Sequence, residues 1–369
     1  MAETRDPVID VDFHLAERPA DLAPFCDAPW RVAVEAADGL PPWTVRTATH
    51  PTYAKRVAPP PAHTPAALRE RMATLGTDAA LLLPGPLLKL GILPTPEYAT
   101  ALAAAYNRWL AATWLADADA GNTGGVYGAV LVAPQEPEAA AREIAAYAGQ
   151  PGVRAVLLPM AGTQPLLGDR RYDPLYAAAQ EADLPVILHG GADLQLPSSP
   201  VQPTQFASAF DRAALSQPFV AAAHLVSIVG AGALARFPGL RLVFLEAGMV
   251  WLAHLSLRMD KEYNENHRDI PFYTDRVSGY LARQVWVGTH PREVAAAEDL
   301  DALARVGVGA GHLVYGSHYP YADHDPPARV LPTLTEATRR GVMGANAAAL
   351  FGLSVPATAA AAAGASAAG

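Results

Sequence analysis

The segment Asp10-Val11-Asp12-Phe13-His14 puts three side chains able to bind a cation or carry a proton at alternate positions. In an extended chain the two-residue period places Asp10, Asp12 and His14 on one face. Further imidazoles and carboxylates close short apolar runs elsewhere: His189 after LPVIL, Glu246 after LRLVFL, His290 after RQVWVGT and His318 after HLVYGS. Carboxylate oxygen together with imidazole nitrogen suits a divalent ion such as zinc, manganese or iron. The single cysteine, Cys26, excludes a thiolate cluster and an intrachain disulfide. Each residue alone has a plainer reading. Asp10 could hold a loop, Glu246 could cap the helix that follows it, and a strand-end histidine is commonly a hydrogen-bonded structural group. Asp12, His14 and His189 are harder to explain that way, because all three fall at the ends of expected strands.

The elements that must position these groups are eight apolar runs, at 8–14, 78–84, 125–134, 152–160, 184–191, 240–248, 283–290 and 312–320. Most are continuous rather than alternating, as strands buried on both faces should be. Alanine-rich helical stretches separate them, as in EPEAAAREIAAYAG, with Pro137 near its start and Gly149 near its end. The alternation predicts an α/β fold, a (β/α)8 TIM barrel, whose site forms where the strands end. A doubly wound sheet is the alternative, but no GxGxxG follows the first strand. Residues 1–353 are expected to form one domain. Its proline-rich segment 15–77, with Trp30, Trp43 and Tyr53, is read as an insertion capping the barrel mouth. The Ala/Gly-rich tail 354–369 is read as disordered. The stretch AAAHLVSIVGAGALARFPGLR reads as a helix ending before Pro238. His224 lies roughly 18 Å before its end at 1.5 Å per residue, near the mouth, as an acid–base group or as a core-facing residue.

With 51% hydrophobic and 17% charged residues among 369, the chain has ample material for a core. Its formal charge of −9 argues against a nucleic-acid surface. No apolar run approaches the ~20 residues of a membrane helix, and MAETRDPVIDVD lacks the features of a signal peptide. The expected partner is therefore a small-molecule substrate, and the expected location cytoplasmic.

An ordered set of motifs, VIDVDFHLAERP, YDPLYAAAQEADLPVILHGG, ARFPGLRLVFLEAGMVWL, VWVGTHPRE, VYGSHYPYADHDPP and NAAALFGL, covers nearly the whole chain from Val8 to Leu353. The set resembles the amidohydrolase superfamily, in the amidohydrolase-related branch that includes aminocarboxymuconate-semialdehyde decarboxylase and the resorcylate-type decarboxylases. The resemblance implies one divalent metal, zinc first with manganese or iron as alternatives, held by Asp12, His14 and His189. In the branch, the eighth strand normally reads Ser-Asp-Tyr-Pro-His, and its Asp is metal-proximal and handles the proton. Here His318 stands at that Asp and Tyr321 at the following His. The expected metal set is thus Asp12, His14, His189 and His318, and the expected catalytic set His318, Glu246 and His224. Glu17 matches a position where the branch often has Glu, either accepting a hydrogen bond from a ligand or capping a turn. His290 and Arg292 could meet an anionic substrate, while Trp251 and Arg258 are assigned to packing or subunit contacts. A homodimer or higher homo-oligomer is also implied.

Hydrolysis needs a base to take a proton from activated water, and an imidazole in place of the carboxylate weakens that role. Decarboxylation instead needs a proton donor, which an uncoordinated His318 supplies. The expectation is a metal-dependent carboxy-lyase acting on a small carboxylated substrate, aromatic ones included. The alternatives are a metal-dependent hydrolase of a C–N or C–C bond, with Glu246 or His224 as base, and an inactive barrel with a binding role.

Overall fold

The computed structural model describes residues 6–37, 39–40, 58–118, 124–190, 209–294, 296–305 and 309–354. Trp43, Tyr53, residue 191 at the end of the fifth expected strand, and tail residues 355–369 lie outside them. Ser354 does not behave as part of a disordered tail. The Tyr127 hydroxyl donates to its carbonyl at 2.8 Å and accepts from its N–H at 2.9 Å.

Eight parallel strands follow one another in chain order: β1 (Ile9–His14), β2 (Ala79–Leu83), β3 (Val126–Leu131), β4 (Val153–Pro159), β5 (Val186–His189), β6 (Leu242–Leu245), β7 (Val285–Gly288) and β8 (Leu313–Val314). Helices alternate with them, and the whole is a (β/α)8 barrel. The continuous apolar runs are explained by burial: every residue of β1, β2, β3, β5 and β6 is buried, as a parallel sheet covered on its outer face requires. The helices start where the sequence offers a fixed φ and an N-terminal cap. Proline opens the helices Pro65–Leu75, Pro96–Trp109 and Pro137–Tyr147. The Thr64 side chain accepts from the Ala67 N–H, and Gly76 ends that first helix in the left-handed region at φ +75°. This helix, inside the segment 15–77, returns the chain to β2.

Two expected elements differ. The helix read through to Pro238 is broken: Ala209–Gly230 and Ala233–Arg236 are separate, with Gly232 at φ +77° between them. The last strand is only two residues long, because beyond Val314 its backbone groups leave the β7 ladder. Tyr315 N–H donates to Val342 O, while Tyr315 O accepts from Val11 N–H at 3.0 Å. His14 N–H then donates to Tyr319 O at 2.7 Å, and Phe13 and Tyr319 form a parallel bridge. These contacts close the barrel between β8 and β1.

The register sets the height of each functional side chain. Pro159 pairs with His189 and His189 with Leu245, so Glu246 follows one step beyond His189. Asp12 to His14, His189, Glu246, His290 and His318 therefore stand at the C-terminal ends of β1, β5, β6, β7 and β8. Gly316 is required where β8 exits past β1, since a Cβ there would lie 2.7 Å from the Asp12 Cβ.

Asn107, buried on the helix Pro96–Trp109, finishes β3 as a peptide edge would. Its amide oxygen accepts from Leu131 N–H at 2.8 Å and its nitrogen donates to Leu131 O at 2.9 Å. Replacement Asn107→Ala strands a buried donor and acceptor together and is expected to lower unfolding stability by about 2–4 kcal/mol. Urea denaturation would measure it, and an unchanged midpoint would contradict this role.

Candidate metal and acid–base site

At the end of β1, β-strand geometry turns Asp12 and His14 to the barrel axis, and β5 supplies His189 opposite them. All three are buried, and among the described residues their ligand atoms lie within 4.8 Å of one another. His14 Nδ1 lies 2.7 Å from Pro84 O, and His189 Nδ1 lies 2.7 Å from Gly190 O. A carbonyl oxygen only accepts, so both rings carry a proton on Nδ1. That turns Nε2 of each ring toward Asp12 Oδ1, at 2.9 Å for His14 and 3.0 Å for His189. Two imidazole lone pairs against one carboxylate repel each other unless positive charge lies between them.

His189 can answer with a proton through its hydrogen bond to Asp12. His14 Nε2 and Asp12 Oδ2 have no hydrogen-bond partner, though both are buried. The ionisation balance follows from this crowding. Burial favours neutral Asp12, but the charges of His189 and His14 outweigh it and hold its pKa well below the usual carboxylate range. Burial lowers the pKa of His14. Burial also opposes charge on His189, yet Asp12 outweighs it and raises that pKa. Carbonyl-locked imidazoles, a bare Nε2 and an unpartnered carboxylate oxygen fit a divalent cation.

Asp10 stands behind this trio. Its Oδ1 accepts from the N–H groups of Asp12 and Ser317, each at 3.0 Å, and burial pushes its pKa up to about 6. It fastens the exit of β8 to β1. Glu17 likewise serves the backbone, accepting from Gly85 N–H at 3.0 Å and Leu87 N–H at 2.9 Å. It thereby fixes the turn after β2, and burial outweighs these two donors to push its pKa to about 7.

His318 adjoins the trio, its ring centroid 5.4 Å from that of His14 and 6.2 Å from that of His189. Its nitrogens, however, face other groups. Nδ1 is 3.0 Å from Asp323 Oδ1, and Nε2 is 3.7 Å from Glu246 Oε1. By proximity His318 joins His290 and Asp323, not the Asp12 group. Its ring is sandwiched between Tyr321, stacked at 4.4 Å, and His290, stacked at 4.5 Å. Burial works against a cation here, but Glu246 and then Asp323 outweigh it and raise the His318 pKa to about 9. In return Asp323, although partial burial opposes its charge, is lowered to about 2 by its hydrogen bond to His318. Glu246 is partly exposed, and its second oxygen lies 3.5 Å from His189 Nδ1. Both Glu246 and His318 occupy the left-handed region, at φ +59° and +60°, a conformation that residues with side chains hold only under local constraint.

His290 is oriented from behind, with Nδ1 2.9 Å from Asp325 Oδ2. Asp325 also accepts from the Arg292 N–H and from Arg329. Arg292 thus enters through its backbone. His224 is buried on the helix Ala209–Gly230, and its Nδ1 accepts from Leu167 N–H at 3.2 Å. Burial lowers its pKa to about 4. It secures the loop after β4, and it belongs to neither cluster of potential ligands. Trp251 packs edge-on against Phe244 at 5.3 Å, and Arg258 pairs with Glu262 on the surface. Asp323 and Asp325 are the residues that the sequence left without a role. Their crowding in HYPYADHD was visible, but loop spacing does not specify which carboxylate meets which imidazole.

No helix among the described residues is long and apolar enough to cross a membrane. A search of curated proteins found no match. Among solved structures, the chain is similar to 5-carboxyvanillate decarboxylase LigW from Sphingomonas paucimobilis, with a TM-score of 0.71, 19% identity, and coverage of 95% of this chain and 100% of that one. It is similar also to 5-carboxyvanillate decarboxylase from Novosphingobium aromaticivorans DSM 12444, complexed with manganese and 4-hydroxy-3-methoxy-5-nitrobenzoic acid. There the TM-score is 0.68 and the identity 20%, over 96% of this chain and 98% of that one. An amidohydrolase from Mycobacterium avium subsp. paratuberculosis K-10 aligns with a TM-score of 0.69 and 20% identity over 95% and 100% of the two chains. At these identities the likeness shows the shared fold. The family itself is shown by the sequence: residues 9–353 match the family model described as amidohydrolase, and the chain belongs to that family.

Proposed function

We propose that the protein is a metal-dependent carboxy-lyase for a small carboxylated substrate, with aromatic carboxylates as the first class to consider. The observation that carries the metal reading is the bare, buried Nε2 of His14 facing an Asp12 carboxylate that is itself incompletely partnered. Asp12, His14 and His189 would hold one divalent ion, zinc first and manganese or iron next. When bound, that ion supplies positive charge to anchor the substrate carboxylate or a neighbouring oxygen.

The rest is the work of the chain's own groups. His318, flanked by Glu246 and Asp323, is stabilised as a cation and so suits the role of proton donor. In decarboxylation the bond between the carboxylate and its carbon breaks and the electron pair stays on that carbon. Carbon dioxide leaves, and the proton from His318 completes the new C–H bond. Tyr321 and His290 restrain the imidazole by stacking on it, so little orientation has to be found during the reaction. The decarboxylases among the solved structures of the same fold support this reading. Hydrolysis asks for a proton acceptor instead. For that second reading Glu246 is the candidate, being the partly exposed carboxylate beside His189.

Elemental analysis of protein purified without chelators should find about one divalent ion per chain, lost in His14→Ala and His189→Ala. A chain that takes up no metal under any loading condition would instead be the inactive barrel. Protons compete for the same nitrogens, so the affinity for zinc should weaken as pH is lowered from about 8 to about 6; a flat profile would argue against imidazole ligation.

Carboxylated phenols incubated with the metal-loaded protein should release carbon dioxide. His318→Asn should lower kcat by about 10²–10⁴-fold with KM little changed, the usual scale for losing a general acid. Release of an amine or acid without carbon dioxide, from amide or ester substrates, would replace the lyase by the hydrolase.

A further inference from the structure

A second group of ligand-type side chains sits beside the first, built from different strands. His290 follows β7, and His318 and Asp323 follow β8; their ligand atoms lie within 4.8 Å of one another. Two imidazoles and a carboxylate form the same class of donor set as Asp12, His14 and His189. The group carries the supporting bonds that distinguish a built site from a chance cluster. Asp325 holds His290 at Nδ1 and leaves Nε2 as its remaining donor. Asp325 is itself fixed by the Arg292 N–H at 2.9 Å, by Arg329 at 3.1 Å, and through its carbonyl by the Tyr315 hydroxyl at 2.9 Å. A carboxylate behind a histidine, itself anchored, is the arrangement that orients metal-ligating imidazoles.

Access and charge also agree. The Asp323 side chain is 46% exposed, so an ion has a route in and water can complete its coordination. Glu246 places one oxygen 3.7 Å from His318 Nε2 and the other 3.5 Å from His189 Nδ1, so a carboxylate lies between the two groups.

We infer that His290, His318 and Asp323 form a second divalent-cation site, weaker than the first, filled when the ion is in excess. Its occupation takes up a His318 nitrogen and withdraws that residue from proton transfer. Excess ion would therefore inhibit the lyase, a consequence that rests on the proposed role of His318, whereas the site itself does not.

The test is zinc binding to the full-length protein, by calorimetric titration of the chelator-stripped chain and by metal content after dialysis against buffered zinc. Two successive equivalents are expected for the wild type. Asp323→Asn, at a half-exposed position, and His290→Asn should each lose the weaker equivalent and keep the tighter one. Asp323→Asn keeps the test decisive if His290→Asn fails to fold. A wild type that takes up a single equivalent, lost in His14→Ala, would overturn the second site and leave the first standing. A second equivalent that survives in both variants would overturn it as well. No zinc uptake at all would overturn both sites together.

Discussion

Everything at the mouth of this barrel turns on one electrostatic conflict: two buried imidazole nitrogens pressed against the same carboxylate oxygen. The backbone enforces it. The carbonyls of Pro84 and Gly190 fix the tautomers of His14 and His189, and both Nε2 atoms then meet the same Asp12 oxygen. A fold has no stability to gain from unpartnered polar atoms in its core. The remaining structure makes sense as the means of holding this arrangement: Asp10 fastening β8 to β1, Gly316 allowing the close pass, and Glu17 fixing the turn after β2.

The eighth strand gives the site its individual character. An imidazole, His318, follows it, and two carboxylates, Asp323 and Glu246, stand around that ring. Two counter-charges and two stacked rings fix the place of this imidazole.

Most of the scaffold was legible in the sequence because it follows from burial and period. Continuous Val, Ile and Leu runs can hide on both faces only in a covered parallel sheet, and prolines and glycines mark where helices begin and end. Asp12, His14 and His189 were legible for the same reason, as polar groups closing apolar strands. The brevity of β8 was not, because it depends on Tyr315 choosing Val342 and Val11 as partners over β7. Nor was the division of the histidines into two groups. His318 was expected with Asp12, yet its ring nitrogens are directed by Asp323 and Glu246, and that choice is made by a left-handed backbone and loop contacts that no spacing encodes. By type Glu17 could have been a substrate group and His224 an acid–base group, but both are engaged by backbone N–H groups instead.

The seam between β8 and β1 has a consequence for how the molecule is made. Asp10 and Ser317 meet across 307 positions of chain, so the barrel cannot close until β8 and the segment after it have been synthesised. Until then β1, the strand bearing Asp12 and His14, is an open sheet edge with unpaired peptide groups, the kind of surface that invites pairing with other chains. Of the eight strands, the one bearing Asp12 and His14 is thus synthesised first and covered last.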